Sequence, residues 1–583
     1  MNTIQDILHK IQKPGRYIGE ETNSVRKGFS PDRTSVLIAY PDSYEVGMSY
    51  LGLRLLYHLL NEQEKIVCER VFMPWEDMRG ELIENRLKLF SLESRTDMDK
   101  FDIVGFSLSY ELTYTNVLDM LSLGGVTVLS KDRGNEEPLV IAGGACASNP
   151  EPMSAFVDAF LIGDAEEALP VFIEAYRKAK ERTDDRNEIL KELSLLEGVY
   201  VPRFYRAIQA EGKFMGLEAV EDGIPDKIRK VSIASLENAY YPEKQIVPLV
   251  RVVHDRIAVE IMRGCPNRCR FCQAGIVNRP VRVRTPERVR DICRKTYELT
   301  GYESIALLSL SSVNYPRLAE LIKALNKDFS GEGVALSIPS LRVDEAFYEL
   351  PEMISAIRKT GLTFAPEAAS GEVREAIGKK IDTQVLCKSA SLAFSHGWRR
   401  LKLYFMVGFP GEPEDEAGKI VALGKEISAL KKKVSSGGAA EIRVSVNPFI
   451  PKPHTPLQWI GMKDPEGMSR TKDVLRSGSS KKVKVEFHDL DQALLEACIS
   501  RGGREISDII YRAWQKGARM DGWNESFNIN IWKEAFDSEG VDMTEYACRT
   551  YSKEDVLPWD HIIVEVDKEY LLSELEASGL YDK

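Results

Sequence analysis

The stretch Arg263-Gly-Cys265-Pro-Asn-Arg-Cys269-Arg-Phe271-Cys272-Gln-Ala-Gly275 organises the reading of this chain. Its three cysteines stand in the spacing C-x3-C-x2-C, with no fourth cysteine or histidine nearby. A closed zinc site takes four ligands. A cubane iron–sulfur cluster has four metal corners, usually each held by a cysteine. Three thiolates on one loop therefore suit a cluster that keeps one iron open for a substrate, as a cluster that does chemistry needs.

The flanks place this loop. Apolar strands are expected at Ile257–Met262, Ser304–Leu310, Ala335–Leu341, Gly361–Ala365, Leu401–Val407 and Glu441–Val446, with helical segments between them. Six such β/α units predict a partial parallel barrel over residues 257–456. The cysteine loop follows the first strand, so topology puts Cys265, Cys269 and Cys272 at the carboxyl face, where barrels of this kind build their sites.

The loop, with aromatic Phe271 directly before the third cysteine, resembles the signature of the radical S-adenosylmethionine (SAM) superfamily. The resemblance implies a [4Fe–4S] cluster on Cys265, Cys269 and Cys272, whose open iron takes SAM and whose electron makes a 5′-deoxyadenosyl radical. It also implies SAM contacts at the other strand ends. These are Phe271, Ser309 and Ser311 (where the superfamily carries a Gly-Gly-Glu-like turn, here without its glutamate), Arg342, Glu367 and Gly408. Asn447 to Pro456 resembles the segment that closes the barrel in methylthiotransferase-like members, and within it His454 is a candidate acid or base.

Residues 35–180 alternate strand and helix, with strands expected at Ser35–Tyr40, Lys65–Phe72, Phe101–Leu108, Pro138–Gly144 and Phe156–Gly163. This predicts a doubly wound parallel sheet whose ligands sit beyond the carboxyl ends of the strands. Small and polar residues gather there: Asp42, Tyr44, Gly47, Ser107, Ser109, Gly143, Gly144, Gly163 and Asp164. The set, with its Ser107-Leu108, Gly-Gly and Gly-Asp turns, resembles the cobalamin-binding domain in front of many radical SAM enzymes. Where that domain carries a cobalt-ligating histidine in Asp-x-His-x-x-Gly, this chain has Tyr44 in Asp42-Ser-Tyr44-Glu-Val-Gly47. A phenol with a pKa near ~10 is a poor cobalt ligand, so bound cobalt is expected to lack a protein imidazole.

The remaining segments are an N-terminal extension (1–34), a connection (181–256) and a mixed, mostly helical accessory domain (457–583). The last holds Trp514, Trp523, Trp532 and Trp559, and a row of Arg501, Arg504, Arg512 and Arg519 that reads as a solvated face or as contacts to an anionic substrate. The fold class is thus α/β: a cobalamin-binding-like sheet, a partial (β/α)6 barrel and a C-terminal unit.

Composition bounds the rest. The 583 residues are 43% hydrophobic and 29% charged, with a net charge of −11, which argues against broad nucleic-acid coating though not against a local basic groove. Nine cysteines without a pairing pattern suit a reducing cytoplasm rather than a disulfide framework. No run approaches the ~20 apolar residues of a membrane span. The expected function is a cobalamin-dependent radical SAM enzyme that methylates an unactivated carbon of an unknown substrate, fed by an external one-electron donor such as flavodoxin or ferredoxin. The alternatives are radical chemistry without methyl transfer (rearrangement, cyclisation or sulfur insertion, with RNA as one substrate) and a non-enzymatic iron–sulfur or cobalamin-binding protein.

Overall fold

The computed structural model describes residues 4–210, 213–339, 362–435 and 438–581. The apolar runs of the N-terminal region form a six-stranded sheet in the order β2-β1-β3-β4-β5-β6. Its strands are β1 Thr34–Tyr40, β2 Ile66–Phe72, β3 Ile103–Ser107, β4 Leu139–Gly143, β5 Ala159–Leu161 and β6 Val199–Tyr200. The first five are parallel, and β6 runs antiparallel to β5. β1 and β2 are buried along their whole length, as helix-covered parallel strands are. Chain order reverses between β1 and β3, which opens a crevice at their carboxyl ends. The fifth strand is shorter than its apolar run suggested, because Phe156 and Val157 pack in the core ahead of it. β6 comes from the connecting stretch, where strands are expected at Gly198–Tyr205 and Lys213–Val220. That stretch also forms helix Arg186–Leu193 and the hairpin Tyr205–Ala210 with Lys213–Ala219.

The barrel strands form two parallel units. Ile257–Glu260, Ser304–Leu308 and Ala335–Ser337 make one. Leu362–Glu367, Arg400–Val407, Glu441–Pro448 and Val483–Phe487 make the other. The last of these is a seventh strand. Its sequence reads as part of the C-terminal unit, yet helix Pro465–Ser477 crosses over and lays it parallel to Glu441–Pro448.

The C-terminal helices Leu490–Ser500, Glu505–Gln515, Ile529–Ser538 and Met543–Cys548 pack mainly on the N-terminal domain. Trp532, Phe536, Ile509 and Ile510 share one continuous core with Ile103, Phe106 and Phe156. Polar contacts fix the seat. Trp532 Nε1 and Thr115 Oγ1 donate to the two oxygens of buried Asp521, at 3.1 and 2.8 Å. Asn116 Oδ1 accepts from Met520 N at 2.7 Å. The final helix, Lys568–Ser578, joins a separate small core with Trp459, Trp559, Phe409 and Phe449. No helix among the described residues is long and apolar enough to cross a membrane.

One buried ion cluster braces the sheet. Arg70, on β2, donates to Glu93 at 2.7 Å and to Glu21 at 2.9 Å, all three side chains being almost wholly inaccessible. Removing one partner of a buried pair strands the other charges, which costs about 3–5 kcal/mol. Arg70→Met is therefore expected to lower the unfolding free energy by about that much, read as the shift of a urea midpoint. A change within the scatter of surface substitutions would show the cluster to be expendable.

Candidate active site

The first barrel strand ends in a sharp reversal. Gly264 has φ +83°, and a Cβ there would lie 2.8 Å from the carbonyl oxygens of Asn278 and Pro280. Met262–Arg263 then pairs antiparallel with Arg282–Val283, closing the cysteine loop into a ribbon. Cys272 caps helix Gln273–Val277, its Sγ accepting from Gly275 N at 3.3 Å. Asn267 Nδ2 donates to Cys265 Sγ at 3.3 Å and to Asn314 Oδ1 at 3.0 Å. Ser311 Oγ donates to the same Asn314 oxygen at 2.7 Å. The turn after the second strand is thereby tied to the first sulfur. Asn267 lies inside the quoted motif, but only the fold shows that it meets a sulfur.

Cys265 is buried, and Cys269 and Cys272 are half-buried. The Cys272 thiol is pushed up to about 11, first by burial and then by the neighbouring sulfurs of Cys269 and Cys265, while Lys379 acts in the opposite sense. Ionising such a thiol calls for a metal's charge beside it. Among the described residues no three His, Cys, Asp or Glu side chains converge on one ion position. A cubane asks for no such convergence, since each thiolate meets a different iron. The donor set of three adjacent thiols, with N–H groups on two sulfurs, fits such a cluster.

Other expected SAM contacts stand around the loop. Ser309 Oγ lies 2.9 Å from Ser312 Oγ, in the turn anchored by buried Ser311. Glu367 ends the fourth strand after a register shift, at φ +67°, and accepts from Lys379 Nζ at 3.0 Å. A non-glycine residue at that φ is uncommon and marks a carboxylate held where the strand alone would not aim it. Phe271 packs 6.4 Å from Phe409, centroid to centroid. Arg342 lies outside the described residues.

Gly408 serves differently than expected. A Cβ there would meet Met468 Sδ at 2.8 Å, so its bareness answers to packing. Its N–H donates to Glu412 Oε2 at 2.9 Å. Glu412, which the sequence reading passed over, keeps Oε1 buried without a hydrogen bond.

The N-terminal candidates divide. Tyr44, in the histidine position, is buried; its hydroxyl donates to Glu21 Oε1 at 3.0 Å and its ring packs edge-on against Phe72. Asp42 Oδ1 accepts from Trp523 Nε1 at 3.0 Å. Cβ atoms at Gly47, Gly144 and Gly163 would strike the Phe72 ring, Leu108 O and Val231 O at 2.3, 2.6 and 2.1 Å, and one at Gly143 would lie 3.3 Å from Leu161 O. These glycines let the protein's own segments approach. Leu108 is buried and donates its N–H to Gly143 O, while Ser107 pairs with Gly143 at the strand ends. The crevice itself presents Tyr40, Tyr50, Ser109 and Cys146, which lie beside one another. The Tyr40 and Tyr50 rings are 5.6 Å apart, with the Ser109 hydroxyl close to both phenols.

The loop and the sheet are locked face to face. Asp164 is taken by the loop: it accepts from Arg263 at 2.9 Å, from Arg282, and from Ile233 N at 3.0 Å. Arg263 also holds Glu166 and Glu260. Tyr50 lies within reach of the same charges. Gln273 Nε2 donates to Ser148 Oγ at 3.2 Å. His454, 5% exposed and at φ +60°, is 2.8 Å from Ser148 O through Nε2. Burial lowers its pKa to about 4, so it is a neutral tether at pH 7. Beside it Lys452 bridges Glu111 at 2.6 Å and Glu496 at 2.8 Å. The cysteine loop thus opens toward the carboxyl edge of β3 and β4.

Burial raises the Glu412 carboxyl from its ordinary 4.5 to about 7. Between those values the folded chain keeps a proton that the unfolded chain has lost, so stability falls as pH rises through that window and the loss is complete above it. Glu412→Gln is expected to flatten this slope and to exceed the parent above pH 7 by about 1–3 kcal/mol, after allowance for partial exposure. Denaturant titrations across pH check this, and parallel profiles for the two proteins would contradict it.

Residues 259–424 match the model of the radical SAM superfamily, and residues 52–202 match that of the N-terminal region of radical SAM proteins. An uncharacterised protein of Methanocaldococcus jannaschii is 26% identical over 476 residues, covering 81% of this chain and 90% of its own length. A ribosomal protein uS12 methylthiotransferase of Trichodesmium erythraeum is 28% identical over 223 residues, covering 35% of this chain; the match spans 47% of that relative. In fold, the chain is similar to the radical S-adenosylmethionine methyltransferase TsrM of Kitasatospora setae, solved with cobalamin and a [4Fe-4S] cluster. The TM-score is 0.51 at 11% identity, covering 87% of this chain and 100% of that one.

Proposed function

On the premise that this chain carries a radical SAM domain behind the N-terminal region of radical SAM proteins, we propose that it is a cobalamin-dependent radical SAM enzyme that methylates an unactivated carbon. The observation that carries this reading is the Arg263–Asp164 lock. It ties the three-thiol loop to the loop after β5 of the doubly wound sheet, which supports a reading with two neighbouring cofactor sites. The fold shared with the cobalamin-bearing methyltransferase supports the same pairing.

Cys265, Cys269 and Cys272 hold three corners of the cluster, and the N–H groups of Asn267 and Gly275 steady the sulfur charge, a lever on cluster potential. With SAM bound, the cluster supplies a radical able to take hydrogen from carbon. The Ser309–Ser312 turn would take the methionyl ammonium, and Glu367, oriented by Lys379, the ribose hydroxyls. Tyr40, Tyr50, Ser109 and Cys146 would offer hydroxyl and thiol groups to the amide-fringed rim of a corrin, which would supply the transferable methyl group. Tyr44 is held by Glu21 and would not serve a bound cobalt. The protein binds, orients and excludes water, and leaves the hard chemistry to the cofactors. An external flavodoxin or ferredoxin in a reducing cytoplasm supplies the electron.

Anaerobic reconstitution with iron, sulfide and hydroxocobalamin, followed by desalting, tests this. Roughly four irons and one cobalt per chain are expected, with 5′-deoxyadenosine released on adding SAM and reductant. The Cys265→Ala/Cys269→Ala/Cys272→Ala variant should lose iron and keep cobalt. Iron and SAM cleavage without cobalt would overturn the methylcobalamin half and turn the reading to methylthio transfer, as named for the Trichodesmium relative. Absence of iron would overturn the whole.

A further inference from the structure

A second cavity lies away from the cysteine loop, at the seat of the C-terminal helices on the N-terminal domain. It measures about 690 Å³ and is lined by helices Glu76–Asn85, Tyr114–Leu123 and Glu505–Gln515 and the residues that follow the first and last of these, with no barrel residue among its walls. That is within the roughly 300–1,000 Å³ of small-molecule sites. Three arginines, Arg79, Arg86 and Arg519, and one carboxylate, Asp119, stand among its lining residues. Asp119, nearly inaccessible, takes Arg79 in a two-pronged pair at 2.7 and 3.0 Å and also accepts from Trp514 Nε1 at 3.3 Å.

Arg519 stands 3.9 Å from the same carboxylate as a second, longer ion pair, and its buried Nε has no hydrogen-bond partner. Arg86 closes helix Glu76–Asn85 in the left-handed region, at φ +55°, and has no ion pair among the described residues. The rest of the arginine row is used up inside the protein: Arg501 on Ala547 O, Arg504 on Glu151, Arg512 on Glu539. Only Arg519 of that row turns into the cavity. Tyr511 and Trp514, with ring centroids 5.6 Å apart, make an aromatic wall beside it.

The lining carries three guanidiniums against one carboxylate, an excess of positive charge that matches a dianion, and guanidinium forks suit phosphate oxygens. A phosphate monoester carries nearly two charges at pH 7. The aromatic wall and the volume call for a planar body attached to it. We propose that this cavity binds an aromatic phosphate monoester of nucleoside-monophosphate size, held by Arg86 and Arg519 against Trp514. The site is separate from the radical chemistry and independent of that reading.

Titration of the full chain with the four ribonucleoside 5′-monophosphates, read by tryptophan fluorescence and calorimetry, tests this. At least one should bind saturably, with a fluorescence change that disappears in Trp514→Phe. Arg519→Gln and Arg86→Asn, the latter chosen because asparagine tolerates the left-handed backbone, should each weaken binding by about tenfold or more. Both leave the Arg79–Asp119 pair intact. In the unaltered chain the affinity should fall as salt rises. The free nucleoside and inorganic phosphate should each bind more weakly than the ester. No binding of any of the four at millimolar concentration would overturn the proposal. So would equal affinity in the arginine variants, or inorganic phosphate bound as tightly as the nucleotide.

Discussion

The architecture turns on one cluster of charges. Arg263, the first residue of the cysteine motif, reaches Asp164, Glu166 and Glu260, and Arg282 from the return strand of the ribbon reaches Asp164 as well. Two guanidiniums and three carboxylates, all mostly buried, thus join the loop after the first barrel strand to the loop after β5. Such clusters contribute little net stability once desolvation is counted; their use is to fix one arrangement against others. Here the arrangement is the angle at which the thiols face the sheet. Gln273, His454 and Lys452 add contacts along the same seam.

The C-terminal helices set the other boundary of the cleft. They belong to the N-terminal core by packing, although about three hundred residues of other structure separate the two in sequence. Trp523 closes on Asp42 and stands edge-on to Trp75, so the carboxyl end of β1 is covered by protein. Tyr40, Tyr50, Ser109 and Cys146 gather beside one another at the carboxyl edge of the sheet, with Arg263 of the cysteine motif near Tyr50. The same seating leaves the arginine-lined cavity on the opposite flank of those helices.

Glycine has two uses at the edge of such a sheet, and sequence alone does not separate them. Gly144 and Gly163 carry φ values of +109° and +112°, and their missing side chains make room for Leu108 and Val231. A glycine that admits a ligand and one that admits the protein's own backbone read alike in a string of residues. The tyrosine in the histidine position is the reverse case: its identity already argued against a cobalt ligand, and its bond to Glu21 shows where it went instead.

The sequence by itself determined the local matters. Apolar runs of strand length, turn residues between them and three thiols four and three residues apart depend only on neighbours along the chain. They were enough for the parallel sheet, the six barrel strands and the face of the barrel on which the cluster loop lies. Tertiary structure decided whatever depends on partners remote in sequence: the seventh barrel strand at Val483–Phe487, the docking of the C-terminal helices on β1 to β5, the capture of Asp164 by Arg263, and the place of Arg519 on a cavity wall. Pairings of that kind are set by which surfaces bury against one another and which charges find a counter-charge there. No period or motif encodes them, because the deciding atoms belong to residues far outside any local window of sequence.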